Sequence, residues 1–147
     1  MTDQSHPFVD AYRGSFRSAL HWENLDTLWE AVLDQPDAPW YVYAVGEAPP
    51  AEPIAPSDLK RFIRELDTLL RREHDEDYCG IVYADDLHEP RFVKIYDPNN
   101  LGSSCGPGFG VPILPGWILS RMPPVDLNAA MPPPGNRRRW WQRIFGG

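Results

Sequence analysis

The fold is decided by residues 58–97, which contain DLKRFIRELDTLL (58–70), DYCGIVYADD (77–86) and RFVKIYD (91–97). In the first segment apolar residues recur every three or four positions, which predicts an amphipathic helix with one buried face. The other two segments are short and rich in β-branched and aromatic residues, which predicts strands. Because six residues, DDLHEP, join the two strands, we expect an antiparallel hairpin.

The second strand of this hairpin has two distinct faces. Val93 and Ile95 lie on one face, because successive side chains of a strand point to opposite sides. Phe92, Lys94 and Tyr96 lie on the other face. We expect Val93 and Ile95 to face the core.

Two helices are predicted to precede this central unit. The first begins at Pro7, a residue suited to the first helical position, and it places Phe8, Tyr12 and Phe16 on one side. The second covers ENLDTLWEAVLDQ (23–35), in which leucine, tryptophan and valine form one apolar face.

Two further strands are predicted outside the central unit. WYVYAV (40–45) is rich in aromatic and β-branched residues on both faces, which predicts a strand covered on both sides. GWILS (116–120) predicts a last strand at an edge of the sheet. Because a strand–helix–strand step crosses over right-handed, we expect strands 40–45 and 79–84 to be parallel.

Together these elements predict the α+β class. The predicted order is α-α-β-α-β-β, followed by one further β-strand over 116–120. We expect a small mixed β-sheet of three or four strands, with about three helices packed mainly on one face. Residues 7–121 form the predicted domain. Residues 122–136 are a predicted proline-rich tether, and residues 137–147 are a basic-aromatic C-terminal tail.

Charge is distributed unevenly along the chain. All 21 acidic residues lie at or before Asp126, whereas four of the 14 basic residues lie within 137–147. Residues 1–136 therefore carry 21 acidic and 10 basic side chains, a net charge of −11, and the tail carries +4. An acidic body repels phosphate, which argues against nucleic acid as a partner. It suits solubility or a basic protein partner.

The sequence also indicates a compartment. The chain has two cysteines, and its opening residues lack the basic and apolar regions of a signal peptide. It contains no apolar run approaching the ~18 residues that cross a membrane. We therefore expect a cytoplasmic protein whose thiols are reduced.

Cys105 is the candidate nucleophile, because it lies in SSCG within the glycine- and serine-rich residues 101–110. A reactive thiolate needs a nearby base. His88 in the hairpin loop and His74 at the end of the central helix are the candidate bases. The acidic residues around these histidines lack the pattern of a calcium loop, so neither a metal site nor a cofactor is predicted.

The tail has the most unusual local composition of the chain. Arginine and tryptophan dominate protein-binding hot spots, and they also suit an anionic membrane surface. A third alternative is that the tail folds back onto the acidic body. The candidate partner-binding residues are Arg137, Arg138, Arg139, Trp140, Trp141, Arg143 and Phe145.

The lack of a complete catalytic constellation favours a small, cytosolic, non-catalytic accessory protein over an enzyme. We expect it to bind a protein partner through its acidic surface and its tail. One alternative is an enzyme or redox protein that uses Cys105. Another is a peripheral membrane protein attached through residues 137–145. The sequence does not predict an oligomeric state.

Overall fold

The structure is a computed structural model that describes residues 6–35, 38–100 and 114–127. Its elements confirm the α+β class, with one strand more than the three or four expected. In chain order the described elements are α1 (Pro7–Tyr12), β1 (Arg17–Ser18), α2 (Trp22–Leu33), β2 (Tyr41–Ala44), α3 (Pro56–Glu73), β3 (Val82–Ala84), β4 (Phe92–Ile95), a 3₁₀ turn (Pro98–Asn100) and β5 (Trp117–Ser120).

The described strands form one sheet in the order β1-β3-β4-β5-β2, and each neighbouring pair is antiparallel. β3 and β4 form the predicted hairpin, with Tyr83 opposite Lys94 and Ala84 opposite Val93. β5 pairs with β4 on one side and with β2 on the other.

Two predictions about the sheet are wrong. The strands predicted over 40–45 and 79–84 are not parallel neighbours, because β4 and β5 lie between β2 and β3. β5 is an interior strand and not an edge strand. Ile118, Leu119 and Ser120 of this strand are fully buried, because packed residues cover both faces of the sheet here. β2 lies at one edge of the described sheet, and β1 lies at the other.

α1 is shorter than the helical spacing suggested. It ends at Tyr12, and Gly14 follows two residues later, where glycine disfavours a further helical turn. The chain then extends, and β1 pairs with β3. Phe16 still reaches the same surface, since its ring centre lies 5.6 Å from that of Phe92. The spacing therefore indicated a shared surface and not a continuous helix.

The two faces of the sheet are covered by different elements. α2 and α3 pack on the face of Val93 and Ile95, which confirms that these residues face the core. We call this the helical face. α1 and the segment that ends at Leu127 pack on the opposite face, over Phe92 and Ile118. We call this the aromatic face.

Polar contacts fix α2 against α3 in an antiparallel arrangement. The Trp29 indole N–H donates to Asp67 at 3.1 Å. Arg71, one turn further along α3, donates to Asp67 at 3.0 Å and forms an ion pair with Asp26 at 2.7 Å. These contacts fix the position of the two helices relative to each other.

The packed part of the chain continues past residue 121. Leu127 is fully buried, and its N–H donates to the Tyr43 hydroxyl at 3.1 Å. The Ser120 hydroxyl donates to the Met122 carbonyl at 2.8 Å and accepts from the Met122 N–H at 3.0 Å. Residues 122–127, which the sequence placed at the start of the tether, thus pack on the aromatic face. The rest of the tether and the tail lie outside the described residues.

Candidate functional site

Lys94 lies on the aromatic face, directly opposite Tyr83 of β3. Its ammonium nitrogen is 4.1 Å from the centre of the Tyr12 ring and 3.9 Å from the centre of the Phe16 ring. Tyr12 is the last residue of α1, and Phe16 lies in the extended segment before β1. The N-terminal segment therefore supplies two aromatic rings to one cation, and both rings attract it.

The described surroundings of Lys94 consist of aromatic rings and not of carboxylates. Within the described ranges, Lys94 forms no ion pair with a carboxylate. Burial lowers the pKa of Lys94 from 10.5 to about 8, because the charged form loses part of its hydration. At neutral pH the site therefore presents a half-buried positive charge, together with a minor fraction of neutral amine.

A cavity of about 490 Å³ opens beside Lys94 on the aromatic face. Its volume falls in the range of small-molecule sites. Aromatic rings, a short stretch of backbone and the lysine side chain form its walls. The lining residues are Gly14, Phe16, Gly80, Ile81, Tyr83, Lys94 and Tyr96.

Gly80 shapes the rim of this cavity through its backbone. Its φ of +67° lies in the left-handed region, which favours glycine. A Cβ at this position would lie 3.1 Å from the Tyr78 ring. The Gly80 N–H donates to the Ala19 carbonyl at 3.2 Å, so the segment before β3 continues the pairing with the segment that carries β1.

Three tyrosines, Tyr12, Tyr83 and Tyr96, lie around the lysine. The side chains of Tyr12 and Tyr96 are close enough for each to influence the pKa of the other. The Tyr83 ring meets the Tyr96 ring edge-to-face, with 5.8 Å between the ring centres. Burial, with a smaller contribution from Tyr96, raises the pKa of Tyr12 to about 12. Burial also raises the pKa of Tyr96. These hydroxyls therefore stay protonated at physiological pH and do not offset the charge of Lys94.

The described residues do not assemble the predicted catalytic site. Cys105 lies outside the described residues, so its reactivity stays a prediction. His74 follows α3, and its ring meets Trp22 and Tyr78 edge-on, each at 6.1 Å between ring centres. His88 is exposed in the hairpin loop and lies beside the C-terminal half of α2.

The two candidate histidines lie at opposite ends of α2. His74 is close to Trp22, the first residue of this 12-residue helix, whereas His88 is close to the last turns, near Glu30. A helix of this length spans about 18 Å. His74 and His88 therefore do not form one cluster.

The acidic hairpin loop is held in shape by its own carboxylates. Asp85 accepts from the Arg91 N–H at 2.9 Å. Asp86 accepts from the N–H groups of Glu89 and His88 at 2.9 and 2.8 Å, and these bonds lower the pKa of Asp86. Both carboxylates therefore close the turn. In the part of the chain that the structure describes, no group of three or more His, Cys, Asp or Glu is arranged to hold a metal ion.

The candidate partner-binding residues of the tail, Arg137, Arg138, Arg139, Trp140, Trp141, Arg143 and Phe145, lie outside the described residues. Docking to a protein, folding back and membrane contact therefore stay predictions for residues 137–147.

The Lys94 site is not among the residues predicted from the sequence, although one signal for it is present there. Lys94 stands between Phe92 and Tyr96 on one face of a strand, and a lysine between aromatic residues on a covered face is a sign of a half-buried charge. The contribution of Tyr12 and Phe16 was not visible, since it depends on how a distant segment packs.

Comparisons with known proteins give no family for the chain. A scan against protein-family models finds no match, and searches of curated proteins and of solved structures find none either. No helix among the described residues is both long and apolar enough to span a membrane.

Proposed function

We propose that the protein binds a small organic anion in the cavity beside Lys94. The observation that carries this proposal is the uncompensated ammonium group of Lys94, which lies between two aromatic rings at the cavity wall. No carboxylate of the described residues pairs with it. A bound anion would supply the missing partner, and an ion pair in a partly dehydrated site is stronger than one in bulk water.

The walls of the cavity favour a ligand with a flat or short apolar body. Phe16, Tyr83 and Tyr96 present aromatic surface to the cavity, and aromatic rings stack readily on other rings. The volume of about 490 Å³ accommodates a compound with one ring and a short substituent. An aromatic or short apolar carboxylate therefore fits the chemistry of the site.

Binding of such an anion is linked to the protonation of Lys94. An anion favours the charged form, so it should raise the pKa of Lys94 above the value of about 8 in the free protein. Affinity should consequently fall as the pH rises through this value, because the free site then loses its positive charge.

The test is a titration of the full chain with benzoate, followed by two-dimensional NMR, with benzamide as a neutral ligand of similar shape. We expect benzoate to shift the resonances of Phe16, Tyr83 and Tyr96 more strongly than benzamide does. Lys94→Met should abolish this preference, and Lys60→Met, at an exposed site on α3, should preserve it. Equal binding of both ligands, or unchanged benzoate binding by Lys94→Met, contradicts the proposal.

A second candidate function is the binding of a basic protein partner in the cytosol. Glu23, Glu30 and Asp34 of α2 and its C-cap are exposed on the outside of the helical pair, and they support an acidic docking surface. The buried free thiol of Cys79 supports a reducing compartment. We propose that the basic-aromatic tail adds to the same interface.

A pull-down with four versions of the chain tests this second proposal: wild type, a chain that lacks 137–147, Glu30→Lys with Asp34→Lys, and Lys60→Glu as a control. We expect a partner that is retained by the wild type and the control and is lost on charge reversal. A partner set that is the same for all four versions contradicts it. Loss on charge reversal but not on truncation assigns binding to the acidic surface alone.

A further inference from the structure

We infer that the Lys94 amine forms an imine with an aldehyde or ketone group of a small aromatic or apolar ligand that occupies the cavity. The site would then capture carbonyl compounds reversibly, in addition to binding anions. This inference rests on the proposed function, since both require that the same cavity accepts a small organic molecule.

The placement of the Lys94 nitrogen is the first observation behind this inference. It lies at the wall of the cavity, at about 4 Å from two ring centres, so two aromatic rings hold the end of the side chain in place. A lysine that is held by a carboxylate keeps its proton and is a poor nucleophile. Among the described residues, Lys94 has no such carboxylate.

The neighbouring titratable groups are the second observation. They are Tyr12 from α1, Tyr83 from β3 and Tyr96 from the segment after β4. The Tyr12 and Tyr96 hydroxyls stay protonated, because burial raises the pKa of both residues. Around Lys94 the described residues thus place neutral hydrogen-bonding groups, and burial shifts the lysine towards its neutral, nucleophilic form.

The reaction needs no co-reactant. The lone pair of the neutral amine attacks the carbonyl carbon, and a C–N bond forms while the C=O π electrons move to oxygen, which takes up a proton. The nitrogen releases one proton, which gives the neutral carbinolamine. The hydroxyl group of the carbinolamine then takes up a proton and leaves as water, the nitrogen lone pair forms the C=N bond, and the nitrogen releases its second proton. The products are an imine and one water molecule, with no oxidation or reduction. Tyr96, which lines the cavity, offers a hydroxyl donor for the carbonyl oxygen. Hydrolysis reverses each step.

The composition of the chain makes the inference easy to test, because Lys60 and Lys94 are its two lysines. Lys60 lies exposed on α3, so it reports the reactivity of a solvated lysine in the same molecule. The full chain is treated near neutral pH with limiting benzaldehyde and sodium cyanoborohydride, which reduces an imine to a stable secondary amine. Mapping of chymotryptic peptides by mass spectrometry then gives the labelling rate at each lysine.

We expect Lys94 to be labelled at least tenfold faster than Lys60, because each unit by which the pKa of Lys94 is lowered raises its fraction of neutral amine about tenfold near neutral pH. Lys94→Arg, which keeps the charge but lacks a nucleophilic amine, should remove this label. Lys60→Arg should leave labelling of Lys94 unchanged. Benzoate, by occupying the cavity, should slow labelling at Lys94 and not at Lys60. Equal labelling of the two lysines, or faster labelling of Lys60, overturns the inference.

The two proposals fail in different ways in this experiment. If benzoate binds to the wild type but Lys94 is not labelled preferentially, the imine is ruled out and anion binding stands. If Lys94 is labelled preferentially while benzoate neither binds nor protects it, anion binding is ruled out and carbonyl capture stands. Circular dichroism and thermal unfolding of Lys94→Arg show whether the variant keeps the wild-type fold.

Discussion

The two faces of the sheet are built from the same strands but are covered in opposite ways. On the helical face, Val93 and Ile95 are fully buried under α2 and α3. Lys94 lies between these two residues in the sequence, but its side chain is on the aromatic face, where it is half-buried beside a cavity. One side of strand β4 therefore contributes residues to the core, and the other side contributes Lys94 to the candidate site. The comparison suggests that the helical face supplies the stability that permits a half-buried charge on the aromatic face.

The largest effect is expected on the helical face. Ile95→Ala should destabilise the protein by about 2–5 kcal/mol, because it leaves a cavity in a fully buried layer. Unfolding in urea measures this loss, and Ile95→Val, with an expected loss of about 0.5–1.5 kcal/mol, is the graded control. A loss below about 1 kcal/mol for Ile95→Ala would show that this layer does not carry the stability.

On the aromatic face, Lys94→Met should change the free energy of unfolding in the opposite direction, so that the protein becomes more stable. Each unit of the lowered pKa corresponds to about 1.4 kcal/mol, but the side chain is only half-buried and screened, so we expect a gain of about 1–2 kcal/mol near neutral pH. The matched control is Lys60→Met, which should change the free energy of unfolding by less than about 0.5 kcal/mol.

The gain from Lys94→Met should also depend on pH. Between pH 8 and pH 10.5 the unfolded chain holds a proton on Lys94 that the folded chain has released, so the stability of the wild type rises through this window. The difference between variant and wild type should therefore shrink from pH 7 to pH 9.5, measured by urea unfolding at both values. If Lys94→Met is less stable than the wild type at every pH, the contacts of the ammonium group with the Tyr12 and Phe16 rings stabilise the fold by more than its loss of hydration destabilises it.

A smaller effect is expected at the rim of the cavity. Gly80→Ala should destabilise the protein by about 1 kcal/mol, because alanine disfavours the left-handed backbone and its Cβ approaches the Tyr78 ring. Gly46→Ala is the matched control, since Gly46 also has a positive φ but no atom within 4 Å of an added Cβ. Thermal unfolding of both variants separates backbone strain from the contact, and equal losses would leave no role for Tyr78.

The smallest effect is expected from Tyr96→Phe, which removes one hydroxyl from the site. Tyr12 loses its polar neighbour, at a cost of about 0.5 kcal/mol, the lower end of the range for one hydrogen bond. The pKa of Tyr12 should fall but remain raised, because burial is its main cause and Tyr96 a smaller one. Ultraviolet titration of tyrosinate measures this change, with Tyr83→Phe as the control. An unchanged titration of Tyr12 would contradict an interaction between the two side chains.

The parts of the fold that the sequence predicts are those set by local spacing. α3 and the β3–β4 hairpin follow from periodicity within 58–97 and from a short loop, and strand alternation assigned Lys94 to its face. The strand that pairs with β2 could not be predicted from the sequence. Pairing between strands that are far apart in the chain is not encoded in the local residue pattern. The general crossover rule predicted that β2 lies beside β3, whereas in the structure β2 pairs with β5.

The candidate site was less predictable than the fold for the same physical reason. Half of it comes from β4, where the sequence showed Lys94 between two aromatic residues. The other half comes from Tyr12 and Phe16, which reach Lys94 only because α1 ends early and the chain extends along β3. Burial, and hence the lowered pKa, depends on that packing and not on the residue types alone.

The interior position of β5 has a consequence for how the protein folds. Among the described strands β2 pairs with β5 alone, and the paired residues Tyr43 and Ile118 are 75 positions apart in the chain. Closing such a long loop is slow compared with forming the hairpin. Until β5 docks, the aromatic strand β2 and the outer side of β4 both expose unpaired edges, which are templates for aggregation. We therefore expect the docking of residues 117–120 to be the step that joins β2 to strands β1, β3 and β4.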